Sequence, residues 1–181
     1  METVQDIVHR AKAGDKEAFG LLYQSYYVPI YRYCRIRLAK KEDAEDIAQD
    51  VFVKAWKSFD TFTLRGSTAL PFFYTIAKNA LIDFRKKKRP IEVLNKDTDD
   101  VGSRDIIHDE ISANIMAAEE TSQKIYSLLA TLSENESDAI VMRFIDGLSN
   151  AEIATIVGRS EESVRQLQSR GLRKLKSSFK Q

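Results

Sequence analysis

Residues 148–176 read LSNAEIATIVGRSEESVRQLQSRGLRKLK. Two short helical patterns stand here, separated by a tight turn. Ser149 followed three residues later by Glu152 forms a capping box, in which each residue satisfies a backbone N–H of the helix start. Ile153, Ala154, Ile156 and Val157 then suit a short, largely buried helix. Gly158 predicts its end, since glycine adopts the left-handed backbone a helix C-cap needs. Ser160 predicts the next N-cap, and Glu161 and Glu162 favour the positive end of the following helix. At about 100° per residue, Val164, Leu167, Gly171, Leu172 and Leu175 fall on one side of that helix, while Arg165, Gln166, Ser169, Arg170, Arg173 and Lys176 fall on the other. The pattern is a helix-turn-helix whose second helix carries a basic, polar face suited to the major groove of DNA.

The charge distribution extends this reading to the whole chain. The 181 residues carry a net charge of only +1, yet residues 1–89 hold 17 Lys/Arg against 11 Asp/Glu and residues 159–181 hold 7 against 2. The residues between are acidic. Two basic ends around an acidic middle point to two separate polyanion contacts. The single cysteine, Cys34, allows no internal disulfide and reads as a small core residue. No apolar run reaches membrane-spanning length, and METVQDIVHR has no signal-peptide core. There is no phosphate-binding glycine loop, no Cys/His metal spacing and no nucleophile paired with a base. His9 and His108 are isolated. The composition therefore predicts a cytoplasmic protein that is not an enzyme, holds no cofactor and inserts in no membrane.

Strand periodicity is missing, and the fold class predicted is all-α: two helical domains joined by an acidic linker, the second ending in the helix-turn-helix. Helices are predicted from Val4 to Ala13, from Lys16 to Tyr27, and from Ile30 to Ala39 after a break at Pro29. Lys41 to Phe59 is the strongest amphipathic segment, with Ala44, Ile47, Ala48, Val51, Phe52, Ala55 and Phe59 in one stripe. Its opposite side carries Gln49, Val53 and Trp56 beside Asp46 and Asp50. An apolar patch with an acidic edge suits a partner surface, although a tryptophan there also suits packing beneath a neighbouring loop. Residues 60–70 break the pattern as a loop. A helix follows over 72–89, with Phe73, Ile76, Ala77, Ala80 and Phe84 inward. It ends in five consecutive basic residues, Arg85 to Arg89. Phe62, Arg65, Tyr74, Lys78, Asn79, Arg85, Lys86 and Arg89 mix rings with cations, as single-stranded nucleic acid requires: phosphates meet the charges and bases stack on the rings. Pro90 closes this helix and 90–111 reads as the linker. The second domain, 112–181, is predicted as four helices. One resumes near Ile111 and runs to Leu132, and another is capped by Ser133 and Glu136 and runs through Ile145.

These parts, in this order, resemble a bacterial sigma factor of the extracytoplasmic-function group. The resemblance covers nearly the whole chain. Its carriers are DAEDIAQDVFVKAW at 43–56, FYTIAKNALIDFRKKKR at 73–89, LSENESDAIVMRFIDGLSNAEIATIVGRS at 132–160 and VRQLQSRGLRKLK at 164–176. It implies a first domain that binds the RNA polymerase core and opens the promoter −10 element, and a second that reads the −35 element as duplex. Residue by residue, it assigns Asp46, Gln49, Asp50, Val53 and Trp56 to the clamp helices of the largest polymerase subunit. Asn79 falls on the asparagine of the family's IA-x-N motif in the −10 helix, and the loop before that helix would receive a flipped-out base. Arg165, Gln166, Ser169 and Arg170 match the base-reading face. The implied partners are core polymerase, promoter DNA and, as a class, an anti-sigma factor. Two positions depart from the pattern. Phe72-Phe73 replaces the Trp-Leu of many relatives, and Gln168 stands beside the buried stripe where relatives often have an apolar residue. An autonomous helix-turn-helix regulator is the alternative, but it leaves residues 41–89 without a role.

Overall fold

The computed structural model describes residues 2–88 and 124–178, and every regular element among them is helical. The chain divides into two compact units. In the first, α1 (Val4–Lys12) starts from a capping box between Thr3 and Asp6. Asp15 caps α2 (Lys16–Arg37) by accepting from the backbone N–H groups of Glu17 and Ala18. This helix corrects one expectation, because Pro29 lies inside it rather than at a new start. Proline removes one intrahelical hydrogen bond and normally kinks or breaks a helix. Here Leu22 and Tyr26 before it, and Ile30, Tyr33 and Cys34 after it, are all buried. Burial on both sides holds the helix through the defect. Burial also pushes the Cys34 thiol up to about 12, so it stays protonated and unreactive.

Next comes α3 (Lys41–Ser58), which ends in a 3₁₀ turn, Phe59–Thr61, and an irregular loop leads to α4 (Leu70–Lys88). Phe73 is the hub of this unit. It is fully buried, and its ring centroid lies 4.9 Å from that of Phe52, 5.4 Å from Tyr26, 5.5 Å from Phe72 and 6.4 Å from both Phe19 and Phe59. One side chain thus binds α2, α3, the 3₁₀ turn and α4 together.

In the second unit, α5 covers residues 124–130. The expected start of this helix near Ile111, and the expected linker 90–111, lie outside the described residues. Ser133 and Glu136 form the expected capping box of α6 (Glu134–Ile140). The helix then widens into a π-helical turn, Val141–Ile145, where continued α-helix is the expectation. The wider turn keeps Val141 and Met142 buried and leaves Phe144 and Ile145 exposed. Nothing in the apolar spacing marks it. Gly147, with φ +72°, turns the chain into α7 (Asn150–Val157), and Gly158, with φ +69°, turns it into α8 (Glu161–Ser178).

Replacing Phe73 with alanine deletes the ring that four elements share. By the usual cost of large-to-small core changes, it should destabilise the first unit by about 3–5 kcal/mol. Chemical denaturation followed by far-UV circular dichroism measures this, and a loss below about 1 kcal/mol would show that the ring is not the hub.

Candidate nucleic-acid interface

The helix-turn-helix is built by local chemistry. The Ser149 hydroxyl accepts from the backbone of Glu152, whose carboxylate accepts from the Ser149 N–H at 2.8 Å. Ser160 caps α8 by accepting from the Ser163 N–H. Arg165, Gln166, Ser169, Arg170, Arg173 and Lys176 are all exposed. At about 100° per residue they span roughly 140° of the helix circumference. Val164, Leu167, Gln168 and Gly171 occupy the buried arc opposite. Leu172, expected inward, is 45% exposed because it lies at the edge of that arc, next to the basic face. Arg165 reaches Glu161 and Glu162, each at 3.4 Å. Exposed pairs like these contribute about 0–1 kcal/mol, so the guanidinium can transfer to another acceptor at little cost.

Three contacts that sequence reading missed hold α8 in place. Gly171 lies so close to α6 that a Cβ there would stand 3.0 Å from Ile140 Cγ1. Lys174 Nζ donates to Glu136 Oε2 at 2.8 Å. Gln168 Nε2 donates to Asn150 Oδ1 at 2.9 Å. The last two join residues 38 and 18 apart in sequence, beyond any local pattern. Burial alone would raise the Glu136 carboxyl, but the bonds from Lys174 and from Ser133 outweigh it and hold the carboxyl below its ordinary value.

The second candidate region is α4 with the loop before it. Three rings, Phe59, Phe62 and Phe72, pack together, with Phe62 and Phe72 centroids 4.5 Å apart. They fasten the loop's start. Its end is fastened by the Tyr26 hydroxyl, which accepts from the Ala69 N–H and the Thr68 hydroxyl. Between these anchors Thr63, Arg65, Gly66 and Ser67 are exposed. Asn79 and Lys86 are exposed on α4, while Lys78 and Arg85 are half-buried and engaged with neighbours. Tyr74 corrects an expectation. Its ring is fully buried, edge-on to Tyr33 at 4.9 Å, and is not available for stacking on a base. The helix packs on both α2 and α3, so its buried arc is wider than one apolar stripe and takes in Tyr74. Phe62 is half-buried against Phe72, which leaves only part of its ring free. Arg89 lies outside the described residues.

The third region is the outer face of α3. Asp46, Gln49, Asp50 and Val53 are exposed on one arc, Val53 by 51%. Trp56, at the edge of that arc, is half-buried and packs edge-on against Phe19 with centroids 4.9 Å apart. Among the described residues no helix is long and apolar enough to cross a membrane.

An all-helical chain whose helix-turn-helix presents a basic face defines a DNA-binding transcription protein. Residues 22–91 match Sigma-70 region 2, and residues 128–177 match Sigma-70, region 4. The chain is 30% identical over 166 residues to the ECF RNA polymerase sigma factor SigX of Bacillus subtilis, covering 89% of this chain and 83% of that one. It is 29% identical over 178 residues to the ECF RNA polymerase sigma factor BldN of Streptomyces coelicolor, covering 95% of this chain but only 64% of BldN. Its fold is similar to that of CnrH in the solved complex with the cytosolic domain of CnrY, with a TM-score of 0.70 at 23% identity, covering 96% of this chain and 95% of that one. The chain belongs to the ECF RNA polymerase sigma factors of the sigma-70 family, non-enzymatic proteins that direct RNA polymerase to promoters.

The ion pair between Lys174 and Glu136 makes stability depend on pH. A carboxyl whose folded pKa is lowered stabilises the fold fully above its unfolded value, about 4.3 for glutamate. That part is lost as pH falls through the folded value. Glu136→Gln should therefore be less stable than the parent at neutral pH, with the difference shrinking below about pH 4. Thermal melts across that range check it, and a pH-independent difference would contradict it.

Proposed function

We propose that this chain reads both promoter elements for RNA polymerase, with α8 on the −35 duplex and α4 with its preceding loop on the −10 element, in the cytoplasm. The observation that carries this reading is the single exposed arc of Arg165, Gln166, Ser169, Arg170, Arg173 and Lys176 on a rigidly capped α8. Arginine can make paired hydrogen bonds to guanine, and glutamine to adenine, in the major groove. Arg173 and Lys176, further along the helix, suit phosphates. The domain limits 1–89 and 112–181, with 90–111 between, belong to this proposal, and the matched segments 22–91 and 128–177 support them.

On the −10 side, the exposed turn of the loop and Asn79 would take up a base drawn from the duplex. Arg65 and Lys86 would hold phosphates, with Lys78, Arg85 and Arg89 adding to the positive field. Opening one step costs roughly 1–2 kcal/mol of stacking. A protein without catalytic chemistry can offset that only by capturing what is exposed. Asp46, Gln49, Asp50 and Val53, with the free edge of Trp56, would dock on the clamp helices of the polymerase core. An anti-sigma factor completes the proposed partner set. The alternative, an autonomous regulator, predicts tight binding without core polymerase.

Three outcomes follow. Arg165→Ala or Arg170→Ala should weaken binding to the correct −35 duplex by about 1–3 kcal/mol, and Lys176→Ala should weaken all sequences alike; competition gel shifts with reconstituted holoenzyme measure both. Asn79→Ala should leave −35 binding intact and reduce open complexes in permanganate footprinting. Free protein should bind promoter DNA weakly, and replacing Asp50 and Val53 together with alanine should abolish initiation and core pull-down while the chain stays helical. Tight, specific binding by the free protein would favour the autonomous regulator.

A further inference from the structure

We propose that Gln168 is a positioning residue for −35 recognition, acting through Asn150 to fix the rotation of α8 about its own axis. The inference rests on the proposed reading that α8 presents the base-reading face. Gln168 is only 9% exposed and stands on the buried arc of α8 with Val164, Leu167 and Gly171. A buried amide costs stability unless it is hydrogen-bonded, and an apolar side chain of the same length would fill the space without that cost. Among the described residues, the amide's partner across the turn is Asn150: the Gln168 Nε2 donates to Asn150 Oδ1 at 2.9 Å. Asn150 is the first residue of α7, a helix fixed at its start by the Ser149–Glu152 capping box.

The other contacts of α8 do not set rotation with the same sharpness. Val164 and Leu167 hold α8 by apolar packing, which supplies no directional bond. Gly171 bears on Ile140 and Glu136 of α6 by close approach, again without a directional bond. Lys174 reaches Glu136 through a long side chain whose stem can follow a turning helix. A short amide-to-amide hydrogen bond is directional and weakens steeply when misaligned. With a helix radius of about 5–6 Å including side chains, a rotation of about 20° displaces a side-chain end by roughly 2 Å. Such a shift exceeds what paired hydrogen bonds to a base edge tolerate. The bond between Gln168 and Asn150 therefore sets where Arg165, Gln166, Ser169 and Arg170 point, although neither partner belongs to that face.

The test is run-off transcription by core polymerase with the full-length chain on a promoter library randomised over the −35 segment, with transcripts sequenced. Gln168→Met keeps length and shape and removes the bond. Asn150→Ala removes the acceptor at a half-buried position, and so serves if the first variant folds poorly. Each should lower the preference for the best −35 sequences over the median by about tenfold, the scale of one neutral hydrogen bond; Gln168→Met should leave the melting temperature unchanged, while Asn150→Ala, which strands the buried amide, should lower it. Asn150→Asp retains the acceptor and should retain the preference, whatever it does to overall output. Arg165→Ala serves as the reference. If Arg165→Ala lowers the preference and Gln168→Met and Asn150→Ala do not, the positioning role is overturned while the reading of the face stands. If Asn150→Asp loses preference as far as Asn150→Ala, the bond is not the cause and the inference fails. If Arg165→Ala itself leaves preference unchanged, the face is misassigned and the inference falls with it.

Discussion

The first unit depends on one constraint: five aromatic rings must meet around Phe73. The rings come from α2 (Phe19, Tyr26), α3 (Phe52), the 3₁₀ turn (Phe59) and α4 itself (Phe72). Aromatic pairs prefer edge-on or offset geometry, so meeting at one point fixes angles as well as distances. That requirement explains features that look unrelated. It holds α2 continuous through Pro29, because Tyr26 before the proline belongs to the same packed core as Ile30 and Tyr33 after it. It makes α3 end in a tighter turn, which places Phe59 against Phe19 with centroids 5.4 Å apart. It also draws the chain past Phe62 into a loop closed by the Tyr26 hydroxyl. The outer faces of α3 and α4 are then displayed by elements whose inner faces are immobilised.

The second unit solves a different problem. Its α8 carries nine charged or amide side chains over a single helix, too many for an apolar face of ordinary width to anchor. Close approach substitutes for width. Gly171 lets α6 come within contact distance, and Glu136 and Asn150 accept from Lys174 and Gln168 on either side of it. Glu136 has three duties at once: it caps α6, accepts from Lys174 and packs against Gly171. A carboxylate with that many donors stays ionised despite its burial.

How much of this the sequence displays follows from the range of each interaction. Capping boxes at Ser149 and Ser133, the glycine turn at Gly158 and the apolar stripe of α3 are all settled within four residues, and all are legible. Pro29 was misleading because a local rule was overridden by packing from both sides of it. Tyr74 was misleading because α4 lies against two helices, which widens its buried arc beyond what one stripe suggests. The widened turn at Val141–Ile145 leaves no trace in apolar spacing. The ties of Gln168 to Asn150 and of Lys174 to Glu136 connect distant residues, and their only trace in the sequence is a polar residue standing beside an apolar stripe. The six residues of the basic face of α8 were legible because a helix converts sequence spacing directly into direction.

On the proposed reading, the charge pattern of α8 bears on specificity as much as on affinity. Glu161 and Glu162 occupy its first turn, where Arg165 leans on both. They would repel phosphates indiscriminately, while Arg173 and Lys176 attract them, so the helix gains less than its basic count suggests from DNA of any sequence. Phosphate contacts supply most non-specific affinity. A reader that forgoes part of that term discriminates better but binds weakly alone. Such a helix works only if another body brings it to the promoter, because tethering replaces lost affinity with effective concentration. The exposed arc of Asp46, Gln49, Asp50 and Val53 on the other unit is the surface that would supply the tether. Its acidic edge cannot itself serve on DNA, which leaves a protein partner as the occupant its charge permits.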